Sequence, residues 1–154
     1  MKSDNLLRHV WIPLVIAVVV YAIFYAGIEH HRTRNGPWRV AFTNDLSGEP
    51  ALLINQPKLA ITNLQITFTG ETNLISTNVL MVLDTPQEVP YEVPFGKCVF
   101  MDTTFLPGTI VFDLLGHEIQ LIPRVLTIDG KDIPWTSGAM IIVSPTNVSG
   151  QIPH

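Results

Sequence analysis

The run Val10–Ile28 (VWIPLVIAVVVYAIFYAGI) contains nineteen residues and no charge. As a helix rising ~1.5 Å per residue it spans roughly 28 Å, close to the ~30 Å hydrocarbon core of a bilayer. A helix that is apolar all round needs lipid or a large core to bury it. The run therefore predicts one transmembrane anchor over residues 10–29, behind a short tail at 1–9. It exceeds the 7–15-residue apolar region of a cleaved signal peptide, and cuts after Ala26 or Gly27 would set Phe24 or Tyr25 where a small residue belongs. An uncleaved signal-anchor is expected, with the lipid bilayer as its first partner.

The flanks fit that expectation. Trp11 and Tyr25 lie near the two ends, where amphipathic rings suit the headgroup region. His30, His31, Arg32 and Arg34 follow as membrane-interface groups. Pro13 falls in the first turn, where a missing N–H costs little. Ala22, Ala26 and Gly27 offer small contact points for a neighbouring helix. Arginines lie on both sides of the run. Counted alone, those after it favour a cytoplasmic domain. A short basic tail before one long apolar run is nonetheless the usual signal-anchor form, and large domains translocate with little regard to charge. The expected topology is single-pass, with the N-terminus cytoplasmic and the C-terminal domain extracytoplasmic or periplasmic.

Residues 30–37 read as a short polar linker ending in the turn signal Asn35-Gly36-Pro37. From there to 145, short β-branched-rich runs alternate with turn residues, and 146–154 read as a C-terminal tail. About ten strands are expected: 38–43, 51–54, 59–68, 79–83, 96–101, 109–115, 117–122, 124–128, 131–135 and 140–143. Two hairpins stand out, one turning at Leu115-Gly116 and one at Asp129-Gly130. The fold class is mainly β, an antiparallel β-sandwich of immunoglobulin-like or jelly-roll-like type.

Charge sets limits on function. From Gly36 onward there are five basic and eleven acidic residues, sixteen charged side chains in 119 residues. Soluble domains average ~25% charged residues, and nucleic-acid binding needs clustered Lys and Arg, so no nucleic-acid partner is expected. The sparse charge fits two readings equally: an ordinary β domain with Thr-rich outer faces, or a surface that packs against protein partners. Cys98 is the single cysteine, which excludes an intrachain disulfide.

Candidate chemistry is thin. Pro86–Lys97 (PQEVPYEVPFGK) repeats proline every four residues and reads as a guarded edge, or as a docking edge with Tyr91 and Phe95 as anchors. Asp113, His117 and Glu118 sit around one hairpin, but a lone histidine is a poor metal site. His9, His30 and His31 could in principle face a haem or chlorophyll-type cofactor; interfacial polar groups are the simpler reading. Cys98, Met101, His117 and Met140 have the atom types of a copper site without its spacing. Ser137 lacks the Gly-x-Ser-x-Gly context of a nucleophile. Asp102-Thr103-Thr104 is a turn or a cap, and Asn147-Val148-Ser149 matches a glycosylation sequon. The expectation is a protein with no catalytic, cofactor or metal residues and no dedicated small-molecule substrate. It would be an accessory subunit that docks onto and stabilises a larger membrane complex, such as a respiratory or photosynthetic assembly. The alternative is a membrane-tethered binding module or metal chaperone for a small ligand or soluble partner.

Overall fold

Residues 4–71, 77–145 and 147–151 are described by the computed structural model. The chain divides into two compact units, Met1–Arg34 and Asn35–His154. The first is one helix, α1 (Asp4–Thr33), whose stretch Arg8–Thr33 is long and apolar enough to cross a membrane. None of its apolar window is buried against protein. The helix begins before the expected anchor and takes in His30, His31 and Arg32, which the sequence assigns to a linker. Its last turn is closed locally: Arg32 Nη2 and Nε donate to Glu29 at 2.8 and 3.0 Å, one turn back.

The second unit is mainly β. Its strands are β1 (Trp38–Asn44), β2 (Pro50–Gln56), β3 (Ile61–Phe68), β4 (Val79–Leu83), β5 (Tyr91–Val93), β6 (Gly96–Asp102), β7 (Thr109–Leu114), β8 (His117–Ile122), β9 (Val125–Ile128), β10 (Lys131–Ile133), β11 (Met140–Ser144) and β12 (Asn147–Gln151). They form two six-stranded sheets. The first has the order β12-β11-β3-β2-β1-β4, and the second runs β10-β9-β8-β7-β6-β5. Neighbours are antiparallel except β3 and β11, which run parallel. β5 is a short edge strand flanked by Pro90 and Pro94, in the segment that the sequence reads as a guarded edge. β12 was not expected: it lies in what the sequence presents as the tail, paired to β11 from Met140↔Gln151 to Ser144↔Asn147.

Alternation builds the core. Trp38, Val40 and Phe42 of β1 are fully buried, as are Ile110, Phe112 and Leu114 of β7. These inward residues from both sheets belong to one hydrophobic cluster. Phe42 and Phe112 meet edge-on, 6.0 Å between centroids, joining the two sheets. Such a pair contributes ~0.5–1.5 kcal/mol beyond its buried area. Trp38 also lies 5.1 Å from Trp135, and its Nε1 donates to the Gly108 carbonyl at 3.0 Å.

Both expected hairpins are present. Leu115 and Gly116 have φ of 52° and 82°, Asp129 and Gly130 of 50° and 75°, the paired positive values that a two-residue turn needs to match strand twist. In β6, by contrast, simple alternation fails. A register shift between Cys98 and Phe100 follows the buried Cys98, turns Phe100 outward, half-exposed, and brings Met101 to the inward side.

Candidate functional site

The register assigns every strand residue a face, and the outward faces of the two sheets differ. On the second sheet, Glu92 of β5, Lys97 of β6, Asp113 of β7 and Glu118 of β8 stand in one row across four strands. Lys97 Nζ lies 3.9 Å from Asp113 Oδ2, and Gln120 Nε2 donates to Glu118. Asp132 on the same face accepts from Thr127 Oγ1 at 2.9 Å. Phe100, Val111, Ile122 and Val125 also face outward here, so this face interleaves charged and hydrogen-bonded polar groups with apolar ones, as a solvated sheet face tolerates.

The outward face of the first sheet is nearly free of charge. Val82 and Leu80 of β4 lie beside Arg39 and Ala41 of β1. Ala41 meets Leu53 of β2, Leu53 meets Gln65 of β3, and Gln65 meets Met140 of β11, with Ile142 two residues on. Leu80 is 66% exposed, Val82 45% and Met140 43%. Arg39 is the one charged side chain that this register places on the face across β4, β1, β2, β3 and β11. Gln65 Nε2 donates to Thr67 Oγ1 at 3.0 Å, and with Thr43 and Asn55 these supply the uncharged polar groups of the face. The β1–β2 turn edges this face. Thr43, Asp45, Leu46, Ser47, Gln65 and Met140 line a cleft of about 460 Å³ there. Asp45 Oδ1 accepts from the Ser47 and Glu49 amides at 2.8 and 2.9 Å, which fixes the turn and leaves Leu46 projecting fully into solvent.

The residues singled out from the sequence are scattered. Trp11, Tyr25, Ala22, Ala26, Gly27, His30, His31 and Arg34 are exposed along and just beyond α1, and Arg32 is paired with Glu29. Ala22 and Ala26 share a helix face, being four residues apart. A Cβ at Gly27 would meet nothing. Tyr91 and Phe95 turn inward and pack against the core, Phe95 at 6.0 Å from Phe42. Tyr91 stands directly across from Cys98. Burial pushes the Tyr91 hydroxyl well above its ordinary value and raises the Cys98 thiol. The Tyr91 hydroxyl is buried without a hydrogen-bond partner, while Cys98 Sγ donates weakly to the Phe100 carbonyl at 3.4 Å. A raised thiol is a poor nucleophile and a poor metal ligand.

His117 does not gather Asp113 and Glu118 around itself. Asp113 and Glu118 face each other across β7 and β8 on the opposite side of the sheet. The partner of His117 is Asp129, from the next turn, with Nδ1 and Oδ2 2.7 Å apart; the other Asp129 oxygen accepts from the Glu118 amide at 2.9 Å. The pair joins two hairpin tips. The copper-like set is likewise dispersed: Cys98 and Met101 face the core, and Met140 is on the outward face of the other sheet. Among the described residues, no three His, Cys, Asp or Glu side chains converge. Ser137 Oγ donates to the Ala60 carbonyl and accepts from the Thr62 amide, strapping a loop to β3. Asp102 accepts from the Thr104 amide at 3.0 Å, a turn that holds its carboxyl below the usual range. The backbone of Asn147–Ser149 lies in β12, and its side chains are outside the described residues.

Gln56 was missed by sequence reasoning. It is 1% exposed, and its Nε2 lies 2.8–3.0 Å from the carbonyls of Asn35, Gly36 and Pro37. The end of the expected linker is thus clamped to β2. No family model, no curated protein and no solved structure matches this chain.

Proposed function

We propose that this chain is a single-pass membrane protein whose β domain docks, through the outward face of its first sheet, onto a larger membrane protein complex and stabilises it. The observation that carries the reading is the contrast between the two outward faces. A face that meets only water gains nothing from Leu80, Val82, Leu53, Met140 and Ile142 on adjacent strands, whereas burying such a patch against a partner contributes roughly 25 cal/mol per Å². Interface centres are depleted in charge in just this way. The helix supplies the location. It has no charged residue over Val10–Ile28, and its small residues suit lateral contact.

The role is that of a non-enzymatic accessory subunit, with a respiratory or photosynthetic assembly as the kind of partner meant. The signal-anchor form supports a cytoplasmic N-terminus and an extracytoplasmic domain. The shared core supports a β-sandwich. Within that class we favour a meander type, because β5 to β10 follow one another hairpin by hairpin, whereas immunoglobulin sheets interleave strands distant in sequence.

Purification of the full-length protein from its native membrane in mild detergent tests the reading. Stoichiometric membrane proteins are expected to co-purify. Recovery of a free chain with no companion subunit would overturn it.

A further inference from the structure

Each six-stranded sheet has two edges, and an edge strand exposes unpaired N–H and C=O groups that can accept another strand. Three of the four edges carry the features that discourage this. β5 lies between Pro90 and Pro94, with Glu92 at its centre. β10 is Lys131-Asp132-Ile133, followed by Pro134. β12 has the polar sequence Asn-Val-Ser-Gly-Gln. β4 has no such guard. It reads Val-Leu-Met-Val-Leu, five apolar residues without charge, proline or glycine. One side of β4 pairs with β1; on the other, no strand among the described residues pairs with it.

We propose that β4 is a self-pairing edge through which two copies of this chain associate, antiparallel and two-fold about Met81. The register argues for a second copy over an unrelated strand. With Met81 on the axis, Leu80 stands opposite Val82 of the second copy on the outward face. Val79 stands opposite Leu83 of the second copy on the inward face. All five pairs are apolar, and pairs of this kind are the unit of sheet stabilisation. The ends agree as well. Asn78 falls opposite Asp84 of the second copy, so a carboxamide meets a carboxylate and no like charges are opposed. The Asn78 Oδ1 is already engaged with Thr43 Oγ1 at 2.8 Å, which leaves its amide group to donate. A shift by one residue would set the outward face of one copy against the inward face of the other. The interface is isologous, as a closed dimer requires. Five residues a side bury less than the ~1,200 Å² typical of stable soluble complexes. Tethering both copies in one membrane raises their effective concentration and offsets that shortfall.

The test is cysteine cross-linking of the full-length chain in lipid vesicles, in a Cys98→Ala background. Leu80→Cys and Val82→Cys copies, carrying different tags, are mixed and mildly oxidised. Directly opposed Cβ atoms lie ~4.5–5.5 Å apart, so the mixed disulfide dimer should form in preference to either variant alone. Asn78→Asp opposes two carboxylates at each end and should cut the yield about threefold or more; adding Asp84→Asn restores the pairing with its charges exchanged, and with it the yield. Circular dichroism that matches the parent establishes that each variant is folded. Leu53→Glu, placed mid-face and away from the edge, should leave the cross-link unchanged even where it releases other subunits. The proposal is overturned if the mixed disulfide is absent, if Lys131→Cys cross-links equally well, if the charge exchange has no effect, or if the cysteines join a chain of different mass.

Discussion

The outward faces of the two sheets share one scaffold of mostly antiparallel strands over one core, yet they differ in charge: the second mixes charged side chains with Phe100, Val111, Ile122 and Val125, and the first is almost without charge. The second sheet presents Glu92, Lys97, Asp113 and Glu118 in a row. The first presents Val82, Leu80, Ala41, Leu53, Met140 and Ile142, with Arg39 as its one charge over the five strands concerned. Fold stability does not require this difference. The inward faces already supply the core, and a solvated outer face does best when polar. On the docking reading proposed above, the difference belongs to what the domain meets. A charged face keeps the domain soluble and its companion face available; an apolar face costs solubility unless something covers it.

The comparison can be broken at its shared foundation. Phe112→Ala removes the ring that joins the sheets and should cost ~3–5 kcal/mol. Denaturation of the full-length protein in detergent, followed by tryptophan fluorescence, should show one weakened transition. Two separate transitions would mean that the faces belong to independent layers.

A second test sharpens the comparison itself. Leu53→Glu puts a carboxylate in the centre of the apolar face and should weaken partner capture by roughly 2 kcal/mol or more, about thirtyfold. Glu118→Gln on the charged face should leave capture intact. Quantitative co-purification measures both, and equal effects would erase the functional distinction between the faces.

Asp129→Asn probes the turn that closes the charged side. It removes the carboxylate that joins His117 to the Glu118 amide and should cost about 1–2 kcal/mol in thermal unfolding. Tyr91→Phe probes the inward side of the same sheet. The tyrosine hydroxyl is buried and unpartnered, so its removal should be neutral or stabilise by up to ~1 kcal/mol. Burial raises both Tyr91 and Cys98, so the unfolded chain ionises first as pH rises. Stability is then full below the unfolded thiol value of ~8.5 and declines above it, and further above the unfolded phenol value of ~10. Tyr91→Phe should lose the later decline and keep the earlier one, as a melting series across pH 7–11 would record. The smallest effect is expected for Lys97→Ala. Its ion pair is half-exposed and long, contributes at most ~0.5 kcal/mol, and should vanish in high salt.

Much of the local structure was legible because it depends on short spacings. The Asp129-Gly130 turn follows from two residues that accept positive φ between alternating runs. Val79–Leu83 was recognised with its correct ends. The outward position of Phe100 is not legible in the sequence, because a bulge resets the alternation and no residue type announces it. β12 was lost in the tail because its polar sequence forms a strand only through pairing with β11. The weighing of Tyr91 and Phe95 as docking anchors rested on their aromatic character, which serves a core equally well.

The sequence by itself determined the apolar helix, the β class of the rest, the two tight hairpins and the scarcity of charge. Each is a property of composition or of residues a few positions apart. Only the tertiary structure decided which strands are neighbours, and so which residues share a face. Val82, Ala41, Leu53, Gln65 and Met140 are far apart in the chain, and a row across a sheet is fixed by register between strands. The missing charge was visible in the sequence. Its concentration on one face, beside an unguarded edge, required the pairing that long-range burial enforces.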